Sequence, residues 1–96
     1  MKNLLVEVLY FAEFKDITKK ETEKFNLSNN KLKELIDLLI KKYNPIRELL
    51  WDISNDSLSK NISIIINNKP FHDKSILSAS LNEGDKIAFL LPVSGG

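Results

Sequence analysis

From residue 31 to residue 43 the apolar side chains fall at Leu32, Leu35, Ile36, Leu39 and Tyr43, the spacing of one face of an α-helix. Lys31, Lys33, Glu34, Asp37, Lys41 and Lys42 occupy the opposite face, and Asp37 can pair with Lys41 one turn on. Ser28, Asn29 and Asn30 are candidate N-caps in a row, so the helix begins among them. Asn44 precedes Pro45, which biases it away from helix and ends the element. Pro45 then suits the first residue of a short second helix running to Trp51. A single long helix of this kind has to bury its apolar face, and the segments on either side read as the strands that receive it.

Residues 2 to 11 alternate as a strand, with Val6, Val8 and Tyr10 on one face and Leu5, Glu7, Leu9 and Phe11 on the other. Ala12 to Thr18 read as a turn, and Lys19 to Leu27 return as a second strand with Phe25 and Leu27 on one face and Thr22 and Lys24 exposed. After the helices, Asp52 to Asn61 is polar and reads as a surface loop. Ile62 to Ile66 is rich in β-branched residues and reads as a strand. Asn67-Asn68 forms a turn, because asparagine tolerates positive φ, and Lys69 to Phe71 is a short returning strand. Ser75 to Leu81 fits either a short strand or a single turn. Asn82-Glu83-Gly84-Asp85 is a tight turn, and Lys86 to Leu91 is the last strand. The expectation is an α+β domain of two layers, spanning 1–96, with a mixed sheet of four to five strands packed on one long helix.

Composition narrows the function. Ninety-six residues at 43% hydrophobic content hold one core, and the lack of cysteine excludes disulfides, cysteine metal sites and thiol catalysis by side chains. The lone His72, beside Asp73, reads as a surface residue and cannot build a metal site unaided. A net charge of +1, from 14 basic and 13 acidic residues, gives no electrostatic footprint for nucleic acid. Lys15, Lys19 and Lys20 read as a solvated turn, and Trp51 and Tyr43 as core. Leu4 to Ala12 is interrupted by Glu7 and closed by Glu13, unlike a signal peptide, and no apolar run approaches the roughly 18 residues of a membrane span. A cytoplasmic protein with no membrane or nucleic-acid partner is expected.

The last residues, Pro92-Val93-Ser94-Gly95-Gly96, follow directly on the final apolar strand. Pro92 suits the point where a strand leaves its sheet, and Gly95 and Gly96 can enter a channel too narrow for side chains. A projecting tail over residues 91–96 with an unhindered Gly96 carboxylate is a group that a partner can activate, for example as a mixed anhydride with AMP. A frayed terminus is the ordinary alternative. The strands add a docking surface: if Ile87 and Phe89 join Val6, Val8 and Tyr10 in the core, Phe11, Leu9, Ala88 and Leu90 share the opposite face. An apolar patch there suits an interface, with Pro70 or Phe71 at its border.

The stretch Leu81-Asn82-Glu83-Gly84-Asp85-Lys86-Ile87-Ala88-Phe89-Leu90-Leu91-Pro92-Val93-Ser94-Gly95-Gly96 resembles the end of the small subunit of molybdopterin synthase (the MoaD family), a ubiquitin-like β-grasp sulfur carrier. Val8-Leu9-Tyr10-Phe11-Ala12 resembles that family's first strand, and Ile66-Asn67-Asn68 its asparagine turn. Leu91 departs from it, standing where many members carry a second proline. The resemblance implies that an adenylating enzyme related to ubiquitin activators uses ATP on the Gly96 carboxylate, and that a sulfur donor displaces AMP to leave a thiocarboxylate. It implies that Pro92, Val93, Ser94 and Gly95 insert into a large subunit, where the sulfur attacks cyclic pyranopterin monophosphate, and that Phe11 and Leu90 contact that subunit. The synthase would be a heterotetramer whose catalytic pocket lies on the large subunit, while this chain binds no cofactor or metal and is no enzyme alone.

Two other readings stand beside it. With the same fold, Gly96 could be joined to protein lysines as a ubiquitin-like modifier, or its sulfur could pass to transfer RNA or thiamine precursors; Ser94 favours the molybdopterin branch. The other is a ubiquitin-fold binding module with a passive tail.

Overall fold

Alternation along the first strand decides which side of the sheet is covered. In the computed structural model, which describes residues 3–52, 54, 57–59, 62–71 and 79–91, β1 is Leu4–Leu9; Val6 and Val8 are buried while Leu5, Glu7 and Leu9 are half-buried. β2, Thr22–Leu27, pairs antiparallel with β1. On the other side of β1 lies β7, Lys86–Leu90, which runs parallel to it. β5, Ser63–Ile66, is antiparallel to β7, and β6, Lys69–Phe71, is antiparallel to β5. The resulting mixed sheet has the order β2-β1-β7-β5-β6.

Helix α2, Leu32–Lys42, covers one face and buries Leu32, Leu35, Ile36 and Leu39, the stripe its period predicts. Helix α3, Asn44–Leu50, adds Ile46 and Leu50 with Pro45 in its first turn. Val6, Val8 and Tyr10 meet Ile87, Phe89 and Ile64 in that core, as expected from the alternation. This is a two-layer α+β arrangement with five strands in its main sheet and one long helix.

Several local expectations change. The segment after β1 is a helix, α1, Glu13–Thr18, and not a turn. Phe14 and Thr18, one helical turn apart, are both buried, and the Thr18 hydroxyl donates to the Phe14 carbonyl at 2.9 Å. The polar stretch after α3 holds a two-stranded hairpin: β3, Trp51–Asp52, pairs with β4, Ser57–Leu58, and the Ser59 amide donates to the Leu50 carbonyl at 2.7 Å. Trp51 therefore opens a strand and does not close a helix, and it is half-buried.

The start of α2 is capped from elsewhere in the fold. Lys31, in extended conformation, holds the N-cap position and makes no side-chain cap. The Leu32 amide instead donates to the Ala79 carbonyl at 3.0 Å, and Leu81 N–H donates to Asn30 O at 2.7 Å, so residues 79–81 close the helix end that local residues would otherwise cap. Ser28 and Asn29 turn to Glu34, whose carboxylate accepts both their amides and the Ser28 hydroxyl at 2.8–2.9 Å. Asp37 pairs with Lys33 at 2.9 Å, one turn before it, and not with Lys41. The rest of the Ser75–Leu81 segment, together with His72, Asp73 and the tail residues 92–96, lies outside the described residues.

Candidate functional site

Residues paired across a sheet share a face, so the register alone builds the uncovered side. Leu9 pairs with Ala88, Ala88 with Ile65 and Ile65 with Pro70, one apolar row across β1, β7, β5 and β6. Leu90 continues this face beside Ser63. Together with Phe11, Leu9, Ile65, Ala88 and Leu90 line an open groove of about 380 Å³, whose polar end is formed by Asn67, Asn68 and Lys86. Phe11 is 48% exposed, which makes it the exposed large hydrophobic residue among the described ones. Ala88 is 5% exposed and forms the floor, so its small side chain makes room for whatever enters.

Of the two residues expected at the border, Pro70 shares this row. Phe71 does not: it pairs with Ile64, whose other partner is Phe89, and therefore belongs to the core side. Ile65 was not singled out from the sequence, although its opposite parity to Ile64 marks it for this face. Toward β2 the face becomes charged, with Glu7 paired to both Lys24 and Lys86.

Turns at one end of the sheet hold β7 in place. Asn67 and Asn68 both have positive φ, 52° and 68°, the pattern of a two-residue hairpin turn. The Asn67 side chain donates to Asp85 Oδ1 at 2.8 Å and accepts the Lys86 amide at 3.0 Å. The other Asp85 oxygen accepts the Asn82 amide at 2.8 Å, and the Gly84 amide donates to Leu5 O at 2.8 Å. This bonding ties the β5–β6 turn and the 82–85 turn to the start of β7 and to β1. At its far end β7 stops at Leu90, and half-buried Leu91 still packs on the core, so the chain reaches Pro92 directly from the groove strand.

At the other end of β1 the sequence reading missed a carboxylate. Glu23 has the strand parity of Phe25 and Leu27 and so points to the covered side, where its side chain is 8% exposed. Its Oε1 accepts the hydroxyls of Tyr10 and Tyr43, each at 2.8 Å, and its Oε2 meets Lys20 at 3.2 Å and Lys42. Burial by itself would raise the pKa of this carboxyl, but hydrogen bonds from Lys42, Tyr43, Tyr10 and Lys20 outweigh it and hold the group at about 2. Burial first, then the bond to Glu23, pushes the Tyr10 hydroxyl above the ordinary tyrosine range. The two tyrosine rings meet edge to face at 6.3 Å.

Among the described residues no cluster of His, Cys, Asp or Glu is placed to hold a metal ion, and no helix is long and apolar enough to cross a membrane. The groove lining is mainly apolar, with Asn67, Asn68 and Lys86 at its polar end, a surface suited to contact.

Comparison with known proteins gives the same architecture. The chain is similar to the small archaeal modifier protein 1 of Methanosarcina acetivorans (TM-score 0.84, 23% identity, 100% of each chain covered). It is also similar to a candidate molybdopterin converting factor, subunit 1, from Pyrococcus furiosus (TM-score 0.70, 22% identity, 94% of this chain and 99% of that one). A third likeness is to a chain of the BexX/CysO complex of Amycolatopsis orientalis (TM-score 0.74, 22% identity, 95% and 99% covered). Among curated proteins none matches by sequence. The profile of the ThiS family matches residues 8–96. The fold is therefore the ubiquitin-like β-grasp, and the chain belongs to the ThiS family of small sulfur carriers and ubiquitin-like modifiers.

Proposed function

We propose that the chain is the sulfur-carrying small subunit of molybdopterin synthase. The observation that carries this reading is the strand Lys86–Leu90, which presents an apolar groove face and is followed in sequence, after Leu91, by Pro92-Val93-Ser94-Gly95-Gly96, so the docking surface and the reacting end are neighbours along the chain. The family match runs through Gly96, and the Pyrococcus furiosus relative points to the same branch. In this reading an adenylating partner joins AMP from ATP to the Gly96 carboxylate and releases pyrophosphate. A sulfur donor enzyme then displaces AMP to leave a thiocarboxylate. Within the large subunit the sulfur attacks cyclic pyranopterin monophosphate to form a thioester with Gly96, and water then cleaves the acyl C–S bond, leaving the sulfur on the pterin and a carboxylate on Gly96. Two sulfurs per dithiolene require the carrier to dissociate, be recharged and return. Leu9, Phe11, Ile65, Leu90 and Pro70 supply contact, Ala88 supplies room, and the chain itself binds no cofactor and performs no acid–base step.

The test uses the absence of cysteine. The chain is produced with its activating enzyme and a sulfur source, treated with a thiol-selective alkylating reagent, and mapped by fragment mass. An adduct on Gly96 that disappears when Gly96 is deleted, followed by dithiolene formation with the large subunit and cyclic pyranopterin monophosphate, is the expected result. Similarity to a small archaeal modifier protein favours a second reading, conjugation to protein lysines. That reading gains if Gly96 is activated and isopeptide-linked products form while no dithiolene appears. No activation of Gly96 by a competent enzyme would overturn both and leave a binding module.

A further inference from the structure

Strand β7 ends at Leu90, whose pairing with Ser63 is its last rung with β5. One residue further on, Leu91 is half-buried and packs against the core. It has the parity of Ile87 and Phe89, which are buried on the covered side, and it takes no part in the groove lining, to which Ala88 and Leu90 belong. Continued one step past the last rung, the register puts Ile62 opposite Leu91, and Ile62 also packs against the core.

The backbone of Leu91 is held differently from its side chain. Among the described residues its amide makes no backbone hydrogen bond, so packing of the side chain is what ties this residue to the domain. Pro92 follows in sequence, and the residue before a proline is biased to extended backbone because the ring crowds its amide and Cβ in other conformations.

We infer that Leu91 is a positioning residue for the reacting end: its side chain, packed on the core, fixes the point from which Pro92-Val93-Ser94-Gly95-Gly96 leave the domain, and so sets where the Gly96 carboxylate arrives in a partner's active site. This rests on the proposed carrier function. In adenylation a carboxylate oxygen of Gly96 attacks the α-phosphorus of ATP while the bond to pyrophosphate breaks, and the rate depends on how often the reacting atoms meet in line. Gly96 lies five positions beyond the anchor, so freedom gained at Leu91 is carried to the carboxylate. Leu91→Ala removes the packing and frees the base of the tail. Leu91→Pro removes the same packing but substitutes a ring that fixes φ, and it sacrifices no backbone bond to a described residue. The two variants therefore share the loss of packing and differ in stiffness.

The experiment measures kcat and KM for the full chain in ATP–pyrophosphate exchange by its adenylating enzyme, together with thermal unfolding, for the native sequence, Leu91→Ala and Leu91→Pro. Both variants are expected to melt below the native chain, and exchange is measured well below either melting temperature. With Leu91→Ala, kcat is expected to fall about threefold to tenfold while KM stays within about twofold, because the groove is untouched. With Leu91→Pro, kcat is expected to return to within about twofold of the native value. An unchanged kcat for Leu91→Ala overturns the inference. So does a rise in KM alone, which would make Leu91 part of a docking surface, and so do equal losses of kcat in both variants, which would leave it a packing role only. These three outcomes concern Leu91 and leave the carrier function standing. If the native chain itself is not adenylated by an enzyme shown to be competent, the carrier function falls and the inference falls with it.

Discussion

Glu23 shows how one side chain can join three elements. Tyr10 follows β1, Tyr43 and Lys42 lie at the end of α2, and Lys20 precedes β2, and all converge on the same carboxylate. Glu23→Gln keeps the shape and removes the charge that four donors address, so a loss of about 1–3 kcal/mol is expected by urea or thermal unfolding. The pH dependence follows from the direction of the shift. The folded pKa is depressed from 4.5 to about 2, so the charged form stabilises the fold fully above the unfolded value and this contribution disappears as pH falls from about 4.5 toward 2. Glu34 is shifted the same way: burial would raise it, but the Ser28 and Asn29 bonds prevail, so the native protein alone cannot isolate Glu23. The difference between native and Glu23→Gln melting temperatures is therefore expected to be largest near neutral pH and to shrink through that acid window. A difference that stays constant down to pH 2 would show that the loss is one of packing and not of charge.

Turns set the register of the groove, so the element-scale prediction concerns them. Asn67 and Asn68 both have positive φ but unequal duties: Asn67 braces Asp85 and Lys86, while Asn68 contributes conformation at the groove rim. Asn68→Gly is expected to raise stability by up to about 1 kcal/mol, because glycine reaches the left-handed region without strain. Asn67→Gly is expected to lower it by about 1–3 kcal/mol through two lost hydrogen bonds, one of them to a buried carboxylate. Paired thermal melts check the opposite signs. Much of this geometry was legible in the residues. A two-residue turn at 67–68 forces Ile66 opposite Lys69 and hence Pro70, not Phe71, onto the face of Ile65. Likewise the parity of Glu23 with Phe25 and Leu27 announced an inward carboxylate. What was not legible depends on distant chain or on short length. Helix α1 has six residues, too few to display a period, and the cap on Leu32 comes from Ala79, forty-seven positions away by subtraction of their numbers.

At the scale of the whole molecule, one sheet serves two demands, and a pair of phenylalanines on its opposite sides separates them. Phe89 is 1% exposed, packed under the helices against Phe14, while Phe11 stands in solvent beside the groove. Burying a ring stabilises the fold, and leaving one exposed contributes little to it, so equal chemistry should give unequal consequences. Phe89→Ala leaves a cavity in the core and is expected to remove about 3–5 kcal/mol, a large share of the roughly 5–15 kcal/mol typical of a domain. Phe11→Ser removes no core contact and is expected to change stability by less than about 0.5 kcal/mol while reducing self-association of the exposed face. Urea titrations of the two variants, with sedimentation of Phe11→Ser beside the native chain, make the comparison. Equal losses would mean that Phe11 is part of the folding core and that its face is no docking surface. Unequal losses would show that the sheet commits Phe89 to folding and leaves Phe11 free for association, which is the division of labour that a carrier needs if it must leave one partner and dock on another.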